Sequence, residues 1–401
     1  MNRFITIQVG ARRNYAVPAI LEKAGILEAF YTDLCADAGL GKWLDCYCPD
    51  FLKNSDLQRL LNRRVPANLK NKVRTCDGAS IKYLLRQKFT KASPVKKHQI
   101  LSQFVKDFGQ AAIQKGLGNS THVFSMFGEG LDFLEFAKGQ GLKTITDIYI
   151  SPLTHQILQK ERESFPDLEL KLPDEIIERD YKWFRKLCQF TDAYVVPSEF
   201  VQEGLKAFGV DSVRCHIVPS TVRESWLDVN NQPNRGSILF VGTADLRKGI
   251  HILGMAAQKL AHHNYEFRVA GGVSDVIRNH PLTQSLKFLG RIPRADIQKE
   301  YANADIFVLP SLAEGSAGVT YEALAVGLPI ITTKAAGSVV RDGIEGMIIS
   351  ERDPDALADS IEALVENREL RDRVANAAKE RAKDYVWDKY AQRILAVLNN
   401  L

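Results

Sequence analysis

The chain has 401 residues, of which 45% are hydrophobic and 25% charged, with a formal net charge of +5. That length holds about two domains of ordinary size, the composition is that of a globular protein, and so mild a charge gives no case for nucleic acid as a partner. No run approaches the roughly 20 apolar residues that cross a bilayer, and the opening MNRFITIQVG is too short in its apolar run for a signal peptide. Cys35, Cys46, Cys48, Cys76, Cys188 and Cys215 include no second close pair at zinc spacing. The expectation is a cytoplasmic protein with free thiols, either soluble or peripheral on the inner face of the membrane.

Residues 4–9 (FITIQV) are β-rich and predict the first strand. Gly10, Arg12 and Arg13 follow in a turn, and residues 17–30 predict a helix. The turn lacks the G-x-G-x-x-G of a dinucleotide site, which argues against NAD or FAD. Residues 51–100 carry 13 Lys or Arg against two acids, Asp56 and Asp77. Basic and apolar residues alternate over 57–64 and 81–89, which predicts basic amphipathic helices, with Trp43, Leu44, Tyr47 and Phe51 as neighbouring apolar anchors. Two uses stay open. One is docking on anionic lipid or an acidic acceptor, at about 1 kcal/mol per basic residue near a membrane; the other is a solvated basic face over an ordinary core. Nucleic acid is disfavoured because no recognised binding module accompanies the charge.

Residues 122–126 and 143–150 predict strands, with a helix over 128–138 between them. Asp147 and Tyr149 stand near the second strand's end, and His155 opens the next helix. A charged helical stretch over 161–186 breaks near Pro166 and Pro173. A strand then runs into a helix capped by Ser198, and 215–219 is the next strand. The polar segment 229–236 (VNNQPNRG) reads as a linker. It divides a first domain, 1–230, from a second, 231–386, followed by a last helix, 387–401.

Residues 237–241 open the second half as a buried strand, followed by Gly242-Thr243-Ala-Asp-Leu-Arg247-Lys248-Gly249 and a helix over 250–262. Strands over 265–270 and 286–290 come next, the latter leading into Arg291-Ile-Pro-Arg294, and a short helix over 297–304. The apolar run 305–310 predicts a strand, and a loop over 311–316 carries Glu314. A helix over 318–326 carries Glu322 and ends at Gly327-Leu-Pro. Its small first residues leave the amides of Gly318 and Val319, with Thr320 next, suited to a phosphate. Two carboxylates eight positions apart can hold two ends of one polar ligand. Residues 354–384 are helical. The alternation of strand and helix through this second half predicts a parallel, doubly wound sheet with the ligand at the strand carboxyl ends, after a first half that opens as an α/β domain.

The Glu314–Glu322 pair (E-x7-E), followed by Ala-Leu-Ala-x-Gly-Leu-Pro, resembles the donor-site signature of retaining GT-B glycosyltransferases of the family-4 type, also called glycosyl transferases group 1. The resemblance covers most of residues 190–395 and, more weakly, the first strand. It implies an α/β fold of two Rossmann-like, doubly wound domains facing a cleft, with the last helix, 387–401, crossing back onto the first, and transfer of a sugar from a nucleoside diphosphate to a hydroxyl acceptor with anomeric retention. Lys248 and Arg247 would hold the diphosphate, Glu314 the transferred sugar and Glu322 the ribose; Gly10, Arg12 and Asp147 would face donor phosphates and acceptor. UDP is the leading nucleotide, with GDP and ADP as alternatives, and no metal is required. The chain departs from the family in four places, one of them Ser316 and Ala317 where relatives have an aromatic residue and a glycine. Thr243 replaces the loop arginine, with Arg247 or Arg291 available to compensate; Ser220-Thr-Val-Arg223 replaces Asn-Gly-Val-Asp; and Asp147 and Tyr149 stand where relatives place a histidine. The competing reading is a non-catalytic nucleotide-sugar binder or a membrane-docking scaffold.

Overall fold

The computed structural model describes residues 2–49, 57–58, 61–90 and 93–401. Among the described residues, seven strands form the first sheet: β1 (Phe4–Gln8), β2 (Leu27–Thr32), β3 (Val73–Thr75), β4 (His122–Met126), β5 (Lys143–Asp147), β6 (Ala193–Val196) and β7 (Cys215–Ile217). Six form the second: β8 (Ser237–Val241), β9 (Glu266–Ala270), β10 (Leu286–Gly290), β11 (Ile306–Leu309), β12 (Ile330–Thr333) and β13 (Gly346–Ile349). The orders are β3-β2-β1-β4-β5-β6-β7 and β10-β9-β8-β11-β12-β13. Every pairing in both is parallel. Each sheet therefore reverses its winding once, between β1 and β4 and between β8 and β11. A doubly wound sheet opens a crevice at such a reversal, beyond the strands' carboxyl ends. The two-domain α/β architecture expected from the sequence is present.

Strands covered on both faces must be apolar on both. β1, β4, β6, β11 and β12 are buried at every residue. The second core also takes in Leu168, Val222 and Trp226, which precede position 230 in the chain. The last helix, Trp387–Asn399, buries Tyr390, Ile394 and Leu398 in a first-domain cluster with Phe4, Phe30 and Val195. No helix among the described residues is long and apolar enough to cross a membrane.

Two local expectations fail. The helix expected over 17–30 ends at Lys23; Gly25 takes φ 72, and β2 begins at Leu27. A left-handed glycine stops a helix, and the pairing of β2 along β1 claims the Phe30-Tyr31 segment. The basic helix expected over 57–64 does not reach Arg63 and Arg64, which lie in irregular chain after Leu61. Leu61 instead joins a small cluster with Leu34 and Ala36. Phe51 lies outside the described residues.

Candidate functional site

The second sheet's reversal places two turns side by side. After β8 the chain forms a short turn, Leu246–Lys248, capped by Asp245, whose Oδ1 accepts from the Lys248 amide at 2.9 Å. Gly249 follows with φ 73, and a Cβ there would lie 2.0 Å from the Pro310 carbonyl oxygen. Only glycine lets this turn lie directly against the end of β11. The Leu312 amide then donates to the Arg247 carbonyl at 2.8 Å, and the Glu314 amide to the Ala335 carbonyl at 2.9 Å.

This close approach unites three residues that the sequence singles out. Lys248 Nζ is 2.6 Å and Arg247 Nη1 2.5 Å from the same oxygen, Oε1 of Glu314. The Lys248 and Glu314 side chains are 12% and 13% exposed. Fixed charges in so poorly hydrated a place interact more strongly than they would in water.

Glu322 lies in the helix Gly318–Val326, and Tyr301 Oη donates to its Oε2 at 3.0 Å. Burial pushes the Glu322 carboxyl up from the ordinary range, opposed by that hydrogen bond and by Arg294 and Arg223. Gly318 and Glu322 line a cavity of about 490 Å³ whose opposite wall is Arg13 and Asn14 of the first domain and Tyr390 of the last helix. Thr243 and Arg291 line a different cavity, of about 610 Å³, at the ends of β8, β9 and β10. The expected binding residues thus divide between two hollows along one edge of the sheet. Thr320 is buried and turned back on its own helix, its Oγ1 donating to the Ala317 carbonyl at 2.7 Å. Val319 offers its carbonyl to Tyr301 Oη at 3.4 Å.

The first sheet's reversal carries the second group. Gly10 takes φ 72 and its amide donates to Asp33 Oδ1 at 2.9 Å. Arg13, Asn14 and Tyr15 all have positive φ, at 47, 50 and 59. Three successive non-glycine residues in that region represent stored backbone strain, which collects at functional sites. The strain aims Arg13 at two partners, Asp147 Oδ2 at 2.7 Å and Tyr390 Oη at 2.8 Å. Burial raises the Asp147 carboxyl and the Arg13 guanidinium pulls it back. Arg12 pairs with Glu129 at 3.2 Å and lies 4.3 Å over the Tyr149 ring. Arg12, expected to face donor phosphates and acceptor, and its neighbour Arg13 are therefore already paired with carboxylates of their own domain.

Glu129 escaped the sequence reading. It follows β4 between Gly128 and Gly130, which have φ 66 and 84. Its Oε2 accepts from the Val9 amide at 2.5 Å, and burial pushes the carboxyl up to about 7 against the pull of Arg12. The two glycines flanking an acid after an apolar run were the available signal. His155 turns away to Asp180, 3.3 Å distant, which also holds His98 at 2.6 Å. Among the described residues, His262, His263 and Glu362 form one group of metal-ligating type. His262 and His263 follow the helix Ile250–Lys259, and Glu362 lies in the helix Pro354–Glu366.

Residues 222–381 match the family model described as glycosyl transferases group 1. The phosphatidyl-myo-inositol mannosyltransferase of Mycobacterium leprae is 29% identical over 207 residues, 48% of this chain and 54% of that protein. The D-inositol 3-phosphate glycosyltransferase of Corynebacterium urealyticum is 27% identical over 179 residues, 40% and 42% of the two chains. The chain thus spans about half the length of these curated relatives or less. Among solved structures, Anabaena Alr3699/HepE in complex with UDP and glucose superposes with a TM-score of 0.61 at 16% identity, over 100% of both chains. Sucrose-phosphate synthase from Thermosynechococcus elongatus gives 0.67 at 16% identity, over 100% of this chain and 99% of that one. At such identity the structural likeness is one of fold. Residues 222–381 are accordingly a domain of the glycosyl transferases group 1 family, carried in a chain with the two-domain GT-B fold.

Proposed function

We propose that this protein transfers a sugar from a nucleoside diphosphate to a hydroxyl acceptor with retention at the anomeric carbon. The observation that carries the reading is the convergence of Arg247, Lys248 and Glu314 across the β8–β11 reversal. Bond cleavage loads negative charge onto the leaving diphosphate, and fixed cations aimed at that charge lower the barrier. Arg247 and Lys248 supply them, and the Gly318 and Val319 amides, at the start of the helix Gly318–Val326, are further donors. Glu314 orients the cations and grips hydroxyls of the sugar, while Glu322 accepts from the ribose hydroxyls. The anomeric carbon–oxygen bond to phosphate breaks, the acceptor oxygen bonds to the same face, and the acceptor proton passes to the released diphosphate oxygen. A carboxylate held by two cations is a poor nucleophile, which favours this route over a glycosyl-enzyme. UDP is the proposed carrier because a protein of the same fold binds it. The reaction as written calls for no metal.

Glu322→Ala tests the ribose role. Losing a hydrogen bond to a charged group costs about 1.5–3 kcal/mol, so UDP affinity by calorimetry should fall roughly 10- to 100-fold. Unchanged affinity overturns the assignment. Turnover with a UDP-sugar separates the enzyme from a silent nucleotide-sugar binder.

A second reading concerns the acceptor. Tyr47 and Phe89 are 71% and 79% exposed, and Trp43, Leu85 and Leu101 are exposed too. They lie on the adjoining helices Gly39–Tyr47, Asp77–Phe89 and Pro94–Lys115, with exposed Lys82, Lys88, Lys96 and Lys97 among them. Such a surface suits an anionic membrane. Arg63, Arg64, Lys70 and Lys72 do not belong to it: they are engaged by Asp33, Asp45, Asp37 and the Leu27 carbonyl. Changing Lys82, Lys88, Lys96 and Lys97 to glutamine should abolish co-sedimentation with phosphatidylglycerol vesicles. Undiminished binding removes this surface from the proposal.

A further inference from the structure

A segment of the first domain leaves its own sheet and docks on the second domain. The helix Thr154–Ser164 ends at a loop, and the next helix, Asp174–Gln189, returns Phe184 and Leu187 to the first core. In between, Leu168 is buried in the second core and Phe165 packs at its edge. Glu161, at the start of this strap, is 3% exposed and meets His251 Nε2 at 2.7 Å and Arg352 Nε at 2.5 Å, both from the second domain. Burial penalises the Glu161 carboxylate, yet His251 and Arg352 outweigh that and hold its pKa below the ordinary range. Asp167 pairs with His280 at 2.9 Å. At its far end, Glu169 Oε1 accepts from the Leu246 amide at 2.8 Å, while Arg162 holds Oε2 at 3.3 Å.

Leu246 begins the turn that presents Arg247 and Lys248 to Glu314. The turn is thus fixed by two carboxylates: its own Asp245, on the Lys248 amide, and Glu169, brought 77 positions along the chain. Glu169 also lines the 610 Å³ cavity with Thr243 and Arg291. We propose that Glu169 is a positioning residue, which sets the Arg247–Lys248 turn from the other domain so that the phosphate grip is complete only when the strap is seated. This rests on the transferase reading above for its consequence, though not for its geometry. A catalytic turn held across a domain seam ties its assembly to domain closure. The acceptor domain thereby controls the donor loop without touching the donor phosphates.

Glu169→Ala and Glu169→Gln test it, because glutamine keeps the oxygen that accepts from Leu246. The side chain is 22% exposed, so either change is compatible with folding. Hydrogen exchange of a peptide spanning residues 243–250 should accelerate in Glu169→Ala and stay near wild type in Glu169→Gln. UDP affinity should fall about tenfold in the alanine variant, the loss of one hydrogen bond to a charged group, and recover to within about threefold of wild type in the glutamine variant. With the enzyme turning over, the donor KM should rise while the acceptor KM holds. Unaltered exchange in Glu169→Ala overturns the proposal, and so does faster exchange with unaltered UDP affinity. If wild type binds no UDP at all, the transferase reading fails while the exchange result still decides whether Glu169 sets the turn.

Discussion

Lys248→Ala should lower turnover with a nucleotide-sugar donor by about 10²- to 10³-fold, the cost of removing one preorganised donor from a developing negative charge. Lys248 and Arg247 share a single oxygen of Glu314, so the two cations act as a unit. Removing either leaves the other drawn toward the carboxylate and away from the phosphates. Arg247→Ala should therefore cost a comparable amount, and the double variant less than the product of the two, because coupled neighbours are not additive. Lys248→Arg should not rescue: the Lys248 side chain already lies within 3.3 Å of the position of a Cβ on Gly242, and a planar guanidinium has a different reach and fork. Steady-state kinetics with saturating donor measure this directly. A Lys248→Ala enzyme at full rate would remove the phosphate role, and with it the main support for the proposed reaction.

Gly315→Ala should cut turnover by about 10²-fold while leaving both domains folded. Gly315 follows Glu314 and lies against the first domain: a Cβ would come within 1.7 Å of the Tyr149 carbonyl oxygen and 2.5 Å of its carbon. Both are backbone atoms, so the contact cannot be relieved by a rotamer change. On the other side, Ser198 Oγ donates to the Gly315 carbonyl at 2.6 Å. The added methyl is a wedge at the seam, displacing the Glu314 loop from Tyr149 and Ser198 by an ångström or more. A shift of about 1 Å at a reacting centre costs about 10² in rate, while overpacking of this size costs about 1–3 kcal/mol of stability. Thermal unfolding should show a modest fall in Tm, and kinetics the large fall in kcat. Wild-type kcat in the alanine variant would mean that this contact plays no part in aligning the two halves.

Glycine at 315 was visible in the sequence as one of several small residues in a loop; what it approaches was not. The same division runs through the molecule. The Glu314–Glu322 spacing, the Lys248-Gly249 turn and the strand–helix alternation from 237 onward were all legible, because each is set by residues within a turn or two of one another. The second, doubly wound sheet followed from that alternation. Within the first domain the reading slipped where a local pattern had two solutions. Residues 17–30 are apolar enough for a helix, but Gly25 and the pairing of β2 with β1 divide them. Of the basic stretch 51–100, Arg63, Arg64 and Lys70 are held by Asp33, Asp45 and Asp37, and Lys72 by the Leu27 carbonyl.

Sequence alone determined most of the strands and helices, above all from 237 onward, and which side chains carry the charges from which the proposed site is built. Tertiary structure decided how those side chains are paired. Arg12 meets Glu129 across 117 positions, Arg13 meets Asp147 across 134, and Glu161 meets His251 across 90. Hydrophobic periodicity is short-ranged and survives in one dimension. The charge state and aim of a buried ionisable group depend on whichever partner the fold brings within about 3 Å, where the Coulomb term is large, and no local pattern records that partner.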